Sequence, residues 1–173
     1  SKFRSLFDVV NNTSTSMGKR WLKHNLINPL NNVKEIKFRY NCIEALLENN
    51  NFTNIEEQIS CIIDIERLSR RLSLEKLEPY EMVDFIESIS NIMNLVDFAK
   101  EIKYIRKLVP SPDILDNIRQ MVETANTYFD YEIMKTCKND EDIEQFFKNG
   151  MYENIDNLLL QMNSNIKIIE DIK

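Results

Sequence analysis

Turn-forming residues are scarce in this chain. Of its 173 residues, only two are Gly and four are Pro. Apolar residues recur every three or four positions along most of the length, which is the spacing of amphipathic helices. A β-sandwich or a β-barrel would need many more turn residues. The sequence therefore predicts an all-α fold.

Composition predicts one soluble domain and excludes several kinds of site. The chain is 43% hydrophobic and 29% charged, which is too apolar for disorder. Its net charge of −6 makes it a poor nucleic-acid binder by itself. Cys42, Cys61 and Cys137 are widely spaced and odd in number, so we expect an intracellular, reducing compartment. With His24 as the only histidine and no CxxC pair, we expect no metal site.

Two further features of the whole sequence lead to expectations. No apolar run approaches the ~20 residues of a membrane span, so we expect no membrane partner. Heavy use of Asn and Ile is typical of an AT-rich genome, such as that of a giant virus, an organelle or a protist.

The periodic segments predict an elongated bundle of about seven to nine helices. Asn32 opens a helix with an apolar stripe along one face, and Pro79 suits the first turn of a later helix. The predicted face of the first of these helices consists of Val33, Ile36, Tyr40, Ile43 and Leu47.

The last predicted helix has the spacing of a coiled-coil seam. Its seam positions are Ile155, Leu159, Met162, Ile166 and Ile169. We therefore divide the chain into a helical core, 1–150, and a seam helix, 151–173, and expect it to be part of a longer protein. Alone, the chain should hide the seam by dimerising or by folding the helix back.

The segment before the first Pro combines a capping signal with an unusual Gly. Thr13 and Thr15 precede Met17, Trp21 and Leu22, and Thr is a good N-cap residue. Gly18 lies inside the helical pattern, where Gly costs about 1 kcal/mol relative to Ala. We expect another backbone to approach that turn closely, and we expect Trp21 to be a core anchor over Met17.

Two blocks of this sequence resemble the core/lever domain of MutS-family DNA mismatch-repair proteins. The first block comprises Thr13, Thr15, Met17, Gly18, Arg20, Trp21 and Leu22, followed by Pro29. The second block comprises Asp64, Ile65, Glu66, Arg67, Leu68 and Arg71. A departure occurs at Glu78-Pro79, where the family has an Asn-Pro type of turn.

The resemblance implies a helical domain with a mechanical role. The chain would be the first half of the lever domain, up to the ascending lever helix, and would couple an ATPase domain to a DNA clamp. For the complete protein, the resemblance implies ATP, magnesium, mismatched double-stranded DNA, a homodimer and a MutL-like partner. The chain itself has no GxxxxGK[ST] phosphate loop, so we expect it to hold no cofactor and no catalytic residue.

Two alternatives to this function remain open at the level of sequence. One is a MutS relative that clamps branched or joint DNA without reading mismatches. The other is an unrelated helical scaffold for protein–protein contacts.

The charged residues favour structural roles. We expect Asp64 and Glu66 to lie on different helix faces, and Glu66 to pair with Arg70 four residues later. Together with Arg67 and Arg71, they should fix a helix junction through hydrogen bonds. His24 should complement the dipole at a helix end.

Lys100, Lys103 and Lys107 predict a basic stripe on one helix surface. Such a stripe is either a solvated face or a contact to the DNA backbone.

Overall fold

The computed structural model describes residues 5–137 and 146–171, and it describes side chains as far as Ile169. Within this part of the chain, the structure contains nine α-helices and two short 3₁₀ turns. The helices are α1 (Leu6–Val10), α2 (Ser16–Ile27), α3 (Val33–Leu47), α4 (Asn51–Ser60), α5 (Ile65–Ser73), α6 (Pro79–Glu101), α7 (Pro112–Tyr128), α8 (Tyr131–Thr136) and α9 (Glu153–Asp171). The 3₁₀ turns are Glu48–Asn50 and Ile105–Lys107. The all-α prediction is confirmed.

Local capping chemistry explains where several helices begin. The Asn32 side chain accepts a hydrogen bond from the Lys34 amide at the start of α3. Pro79 and Pro112 occupy the first positions of α6 and α7, where a missing amide costs nothing. Asn49 and Asn50 have φ values of 52° and 60°, a left-handed conformation that Asn tolerates better than most residues. They separate α3 from α4.

Helix α6 organises the core because it contacts α4, α5, α7, α8 and the second 3₁₀ turn. Two apolar clusters lie along it. The first joins its C-terminal end to α3 and contains the buried residues Cys42, Ala45, Ala99, Ile102 and Ile105. The second joins its N-terminal half to α5 and α7 and contains Leu68, Phe85, Ile86, Ile89 and Ala125.

The apolar stripe predicted along α3 is mostly exposed to solvent. Val33, Tyr40, Ile43 and Leu47 are all exposed. Cys42 and Ala45, on the opposite side of the helix, are buried against α6 instead. Both sides of α3 are apolar, so periodicity located a stripe but could not tell which stripe meets the core.

The seam of α9 is largely open to solvent. Ile155 and Leu159 are half-buried, whereas Met162, Ile166 and Ile169 are exposed. The helix does not fold back over them in the described part of the chain. The coiled-coil prediction is therefore not confirmed.

Candidate functional site

The first motif block forms the capped start of α2. The Thr15 hydroxyl accepts a hydrogen bond from the Gly18 amide at 3.0 Å. A Cβ at Gly18 would stand 3.1 Å from that same hydroxyl oxygen and 3.5 Å from the Thr13 Cβ. The expectation that another backbone approaches Gly18 is thus wrong. The absence of a Cβ at Gly18 leaves room for the Thr13 and Thr15 side chains at the start of the same helix.

Arg20 joins the two motif blocks across 44 residues of sequence. Its Nη1 and Nη2 atoms each donate to one carboxylate oxygen of Asp64, both at 2.7 Å. Its Nε atom donates to Glu66 at 3.1 Å, and Nη2 also contacts the same Glu66 oxygen. The planar guanidinium is suited to such paired contacts. This Arg20 junction links α2 to the start of α5.

Asp64 and Glu66 can both contact Arg20 because Glu66 lies in the first turn of α5, whereas Asp64 precedes the helix. Asp64 is the N-cap of α5, where its side chain accepts from the Arg67 amide at 3.2 Å. Glu66 lies in the first turn. The expectation that the two residues lie on different faces is wrong, since a cap residue is outside the helical spacing. Glu66 contacts Arg20 rather than the expected Arg70.

Electrostatics at this junction favour the ionised state of Asp64. Hydrogen bonds from Arg20 hold the pKa of Asp64 below its usual range, and the Arg67 amide lowers it further. The two carboxylates in turn raise the pKa of Arg20. Arg20 and Asp64 therefore form a charged contact in which Asp64 stays ionised near neutral pH.

The last residue of the second block, Arg71, makes a separate contact to α6. Its Nη2 atom lies 2.8 Å from the Glu81 carboxylate, and it also donates to the Lys76 carbonyl at 2.7 Å. Glu81 is buried and accepts from the Glu78 amide at 3.2 Å. Sequence reasoning missed Glu81. Its position in the first turn after Pro79 was the available signal.

The apolar members of the second block point into the core. Leu68 is buried in the cluster along α6, and Ile65 packs against that cluster. A charged start and an apolar body therefore let α5 contact α2 and α6 at once.

Trp21 is not a core anchor. It is 58% exposed, and the Arg39 guanidinium lies 5.0 Å from its ring centroid. Arg39 also donates to the Asn25 side chain at 2.8 Å. The ring thus lies on the outer side of α2 and contributes to α2–α3 packing through a cation–π contact. Pro29 follows the end of α2, where His24 occupies the last turn as expected.

The base of α9 is tied to the end of α7. The Asp130 amide donates to the Phe146 carbonyl at 2.8 Å, and the Lys148 amide donates to the Tyr128 carbonyl at 2.9 Å. Aromatic rings cover this short pairing, with the Phe129 and Phe147 centroids 5.3 Å apart.

A second set of contacts fixes the turn into α9. Gly150 has a φ of +84°, a conformation that Gly adopts readily, and its amide donates to Asp156 at 2.9 Å. The Tyr152 ring stands edge-on to Phe147, with the centroids 5.0 Å apart. Above this base, a groove of about 670 Å³ runs between α9 and the neighbouring residues Asp130, Ile133, Phe147 and Lys148.

The predicted basic stripe does not lie on one helix surface. Helix α6 ends at Glu101, and Tyr104 turns the chain with a φ of 69° before the second 3₁₀ turn. Lys100 pairs with Asp97 at 2.7 Å. Lys103 and Lys107 instead lie 5.0 and 6.0 Å from the Tyr104 ring. The helix needed to align the three lysines is broken between them.

The structure offers no cluster for metal chemistry among the described residues. No group of three or more His, Cys, Asp or Glu side chains is arranged to hold an ion in residues 5–137 and 146–169. In the same part of the chain, no helix is both long and apolar enough to cross a membrane.

Comparisons with known proteins agree on one family. Residues 1–172 match the family model described as MutS domain III. The chain is 38% identical over 161 residues to a mutS homolog DNA mismatch repair protein of Acanthamoeba polyphaga mimivirus, covering 91% of this chain. It is 28% identical over 176 residues to the DNA mismatch repair protein MutS of Fervidobacterium nodosum, covering 98% of this chain.

The chain spans only a small part of these relatives. The matched segments are 14% of the mimivirus protein and 20% of the Fervidobacterium nodosum protein. The mimivirus relative fits the giant-virus source among those predicted from residue usage.

Proposed function

Because the chain belongs to the MutS family and matches its domain III, we propose that it is the mechanical element of a DNA mismatch-repair protein. In this role, α9 transmits movement between a nucleotide-binding domain and a DNA clamp elsewhere in the complete protein. Family membership removes the unrelated scaffold as an alternative. The names of the relatives favour mismatch repair over a protein for branched or joint DNA.

The observation that carries this proposal is the fixed base of α9. A lever transmits movement only if its base cannot turn independently of the body that holds it. Here the base is held by backbone pairing of 128–130 with 146–148, by stacked aromatic rings and by the Gly150–Asp156 hydrogen bond. Beyond this base, the 19-residue helix extends about 28 Å at the usual rise per residue.

The Arg20 junction supports the same role. A domain that transmits force needs contacts that stop its helices from sliding over one another. Arg20 ties α2 to α5, Arg71 ties α5 to α6, and the apolar clusters bind α6 to its neighbours. These contacts form a continuous path of packed helices.

Under this proposal, nucleotide binding and DNA binding belong to other domains of the complete protein. ATP and magnesium would bind to a separate nucleotide-binding domain, and mismatched double-stranded DNA would be held by a clamp. A homodimer and a MutL-like partner are further expectations for the complete protein. The chain contributes no catalytic residue to this scheme.

The test uses the complete protein with Gly150→Ala and Asp156→Asn at the base of α9. Ala is strained at positive φ, and Asn replaces the charged acceptor of the Gly150 amide. We expect ATP binding to stay unchanged, while stimulation of ATP hydrolysis by mismatched DNA falls several-fold. Nucleotide titration and steady-state hydrolysis with and without DNA measure the two properties.

Asp113→Asn is the matched control, because it makes the same chemical change on an exposed residue in the first turn of α7, at the other end of that helix from Tyr128. Circular dichroism checks that each variant is folded. Normal DNA stimulation in the folded double variant would overturn the proposal. Loss of ATP binding itself would also count against it, because the base of α9 would then serve the nucleotide site directly.

A further inference from the structure

The backbone of the turn that follows α6 is strained at Tyr104. This residue has a φ of 69° and a ψ of −43°, a combination that residues with a Cβ rarely adopt. Asn49 and Asn50 also have positive φ values. Their ψ values of 29° and 20° keep them near the left-handed helical region, which Asn tolerates. Tyr104 has no such tolerance, so other contacts must compensate for its conformation.

The local sequence does not require a turn at this position. Residues 98–108, FAKEIKYIRKL, contain neither Gly nor Pro and are rich in good helix formers. The first helix-breaking signal is Pro110, which disfavours helical backbone at Val109. By local propensity alone, α6 would continue from Glu101 to about Leu108.

Packing against α3 accounts for the turn. Ile102 and Ile105 are both buried, and both belong to the apolar cluster that joins the end of α6 to α3. On a continuous helix, Ile105 would lie about 120° around the axis from Ala99, and Arg106 would lie beside Ala99 instead. The turn therefore lets Ala99, Ile102 and Ile105 share one cluster and keeps Arg106 out of it.

The turn differs from a continuous helix by few hydrogen bonds. The Arg106 amide donates to the Ile102 carbonyl at 3.1 Å, a bond that a continuous α-helix would also contain. The next two amides donate three residues back, at 3.1 and 2.8 Å, and each would move to the carbonyl one residue earlier. The rotations required include those at Tyr104 and at Ile102, which has a ψ of 123°.

Two opposing contributions thus act on the same short segment. Strain at Tyr104 and the helix propensity of 98–108 favour a continuous helix. Burial of Ile105 and packing of the Tyr104 ring against the cluster favour the turn. Because the strain of one residue and the burial of one side chain are of similar size, the second state should be measurably populated.

We propose that the Tyr104 turn is a conformational switch, at which α6 alternates between the turn and a continuous helix that releases Ile105 from α3. The switch links the length of α6 to its contact with α3, so movement of α3 away from α6 favours the longer helix. The inference does not rest on the mechanical role of α9. A failure of either proposal therefore leaves the other standing.

Relaxation-dispersion NMR on the 173-residue chain detects such an exchange directly. We expect a minor state of roughly 1–10%. The exchange should be confined to 102–108 and to the residues of α3 in the same cluster, Cys42 and Ala45. The Cα chemical shift of Tyr104 in the minor state should be helical. A chain without exchange at 102–108, or with a non-helical minor state there, would overturn the proposal.

Tyr104→Gly and Tyr104→Ala test the cause of the exchange. Both variants lose the ring, but Gly accepts a positive φ, whereas Ala is strained there and favours a helix. The minor population should be about tenfold lower in Tyr104→Gly than in Tyr104→Ala, and the urea midpoint of the Gly variant should be higher. Asn94→Gly and Asn94→Ala are the matched controls on an exposed position inside α6, where the order of midpoints should reverse.

Ile105→Val tests the opposing contribution with a small change that the fold should tolerate. Loss of one buried methylene should raise the minor population about fivefold. An unchanged or smaller population would overturn the proposal, because burial of Ile105 would not be what holds the turn. The same order of midpoints at 104 as at 94 would also overturn it, because Tyr104 would then be unstrained. If a Tyr104 variant fails to fold, the exchange in the parent chain and in Ile105→Val decides.

Discussion

At the scale of single residues, Asp64 combines a helix cap with an ion pair. Its side chain accepts from the Arg67 amide and from both terminal nitrogens of Arg20. Because these contacts need the ionised carboxylate, they lower the pKa of Asp64. The cap and the ion pair can be separated by substitution, since Asn caps a helix as well as Asp does.

We expect the free energy of unfolding of Asp64→Asn to depend less on pH, in the acidic range, than that of the parent chain. In the folded chain the pKa of Asp64 is depressed, so its contribution is complete above the unfolded value of about 3.9 and is lost as pH falls through the folded value. Urea unfolding of both proteins between pH 7 and pH 2 measures the difference. The difference in free energy of unfolding between Asp64→Asn and the parent chain should shrink as pH falls.

Asp64→Ala serves as the comparison, because it removes the cap as well as the charge. It should be less stable than Asp64→Asn by about 1 kcal/mol at every pH. Equal stability of the two variants would mean that the cap contributes nothing. A gap between Asp64→Asn and the parent that stays constant down to pH 2 would mean that the charge of Asp64 is not the stabilising group.

Glu81 provides a second prediction at this scale. Its carboxylate is buried and pairs with Arg71 at 2.8 Å. Glu81→Ala leaves the Arg71 guanidinium without its carboxylate partner and should reduce the free energy of unfolding by about 2 kcal/mol. Glu87→Ala, on the same helix, removes a carboxylate from an exposed pair with Lys135 and should have little effect. If both variants lose the same free energy of unfolding, the buried Arg71–Glu81 pair contributes no more to stability than an exposed pair.

At the scale of helices, one buried hydroxyl connects α6 to the turn between α4 and α5. Ser88 is 2% exposed, and its Oγ accepts from the Ile63 amide at 3.2 Å. Ser88→Ala leaves that amide without its acceptor and should cost about 1–3 kcal/mol. Hydrogen exchange of the Ile63 amide should accelerate in the variant, since its bond is lost.

Ser90→Ala is the control for this prediction. Ser90 lies two residues further along α6 and donates only to the Ile86 carbonyl of its own helix. Ala is the better helix former, so this variant should be as stable as the parent chain or slightly more stable. A loss of stability in Ser90→Ala equal to that in Ser88→Ala would show that the contact to Ile63 is unimportant.

The positions of the helices were largely predictable because their signals are local. Asn32 marks the start of α3 through capping, and Pro79 marks the start of α6 through proline geometry. Which face each helix buries was less predictable. On α3, both the side with Tyr40 and the side with Cys42 are apolar, and only the contact with α6 decides between them.

The sequence identified the two motif blocks of the candidate site but did not predict that they contact each other at the Arg20 junction. The motif residues around Arg20 and Asp64 were recognised from the sequence. Their pairing depends on how α2 and α5 are placed in space, which no local pattern encodes. Trp21 shows the same limit, because an aromatic residue in a helix can pack in the core or lie beneath a cation at the surface.

At the scale of the whole molecule, the chain is more open than a compact monomer. Its surface area is 13242 Å², whereas a compact protein of 20.6 kDa would expose roughly 8,900 Å². This excess agrees with the predicted elongated bundle and with the apolar residues left uncovered on α3 and α9. Burial is greatest around α6 and falls towards both ends of the chain.

This gradient predicts a gradient in local stability. Helix α6 is packed against α4, α5, α7 and α8. Residues 161–169 of α9 are all exposed, so their helical hydrogen bonds are not supported by tertiary packing. A helix without tertiary packing is marginally stable in water. Hydrogen–deuterium exchange with mass spectrometry should therefore find the amides of α6 slowest. Those of 161–169 should lie within about tenfold of unstructured rates, and those near the base of α9 in between.

The same experiment in the complete protein distinguishes a lever helix from a frayed end. If α9 transmits movement, another segment must cover its open seam there, and the amides of 161–169 should become strongly protected. The amides of α6 serve as the internal reference, because their burial does not depend on further domains. Equal protection of α6 and 161–169 in the chain alone would contradict the exposed seam. Unchanged fast exchange in the complete protein would rule out a lever, because a helix that frays in its working context cannot carry force.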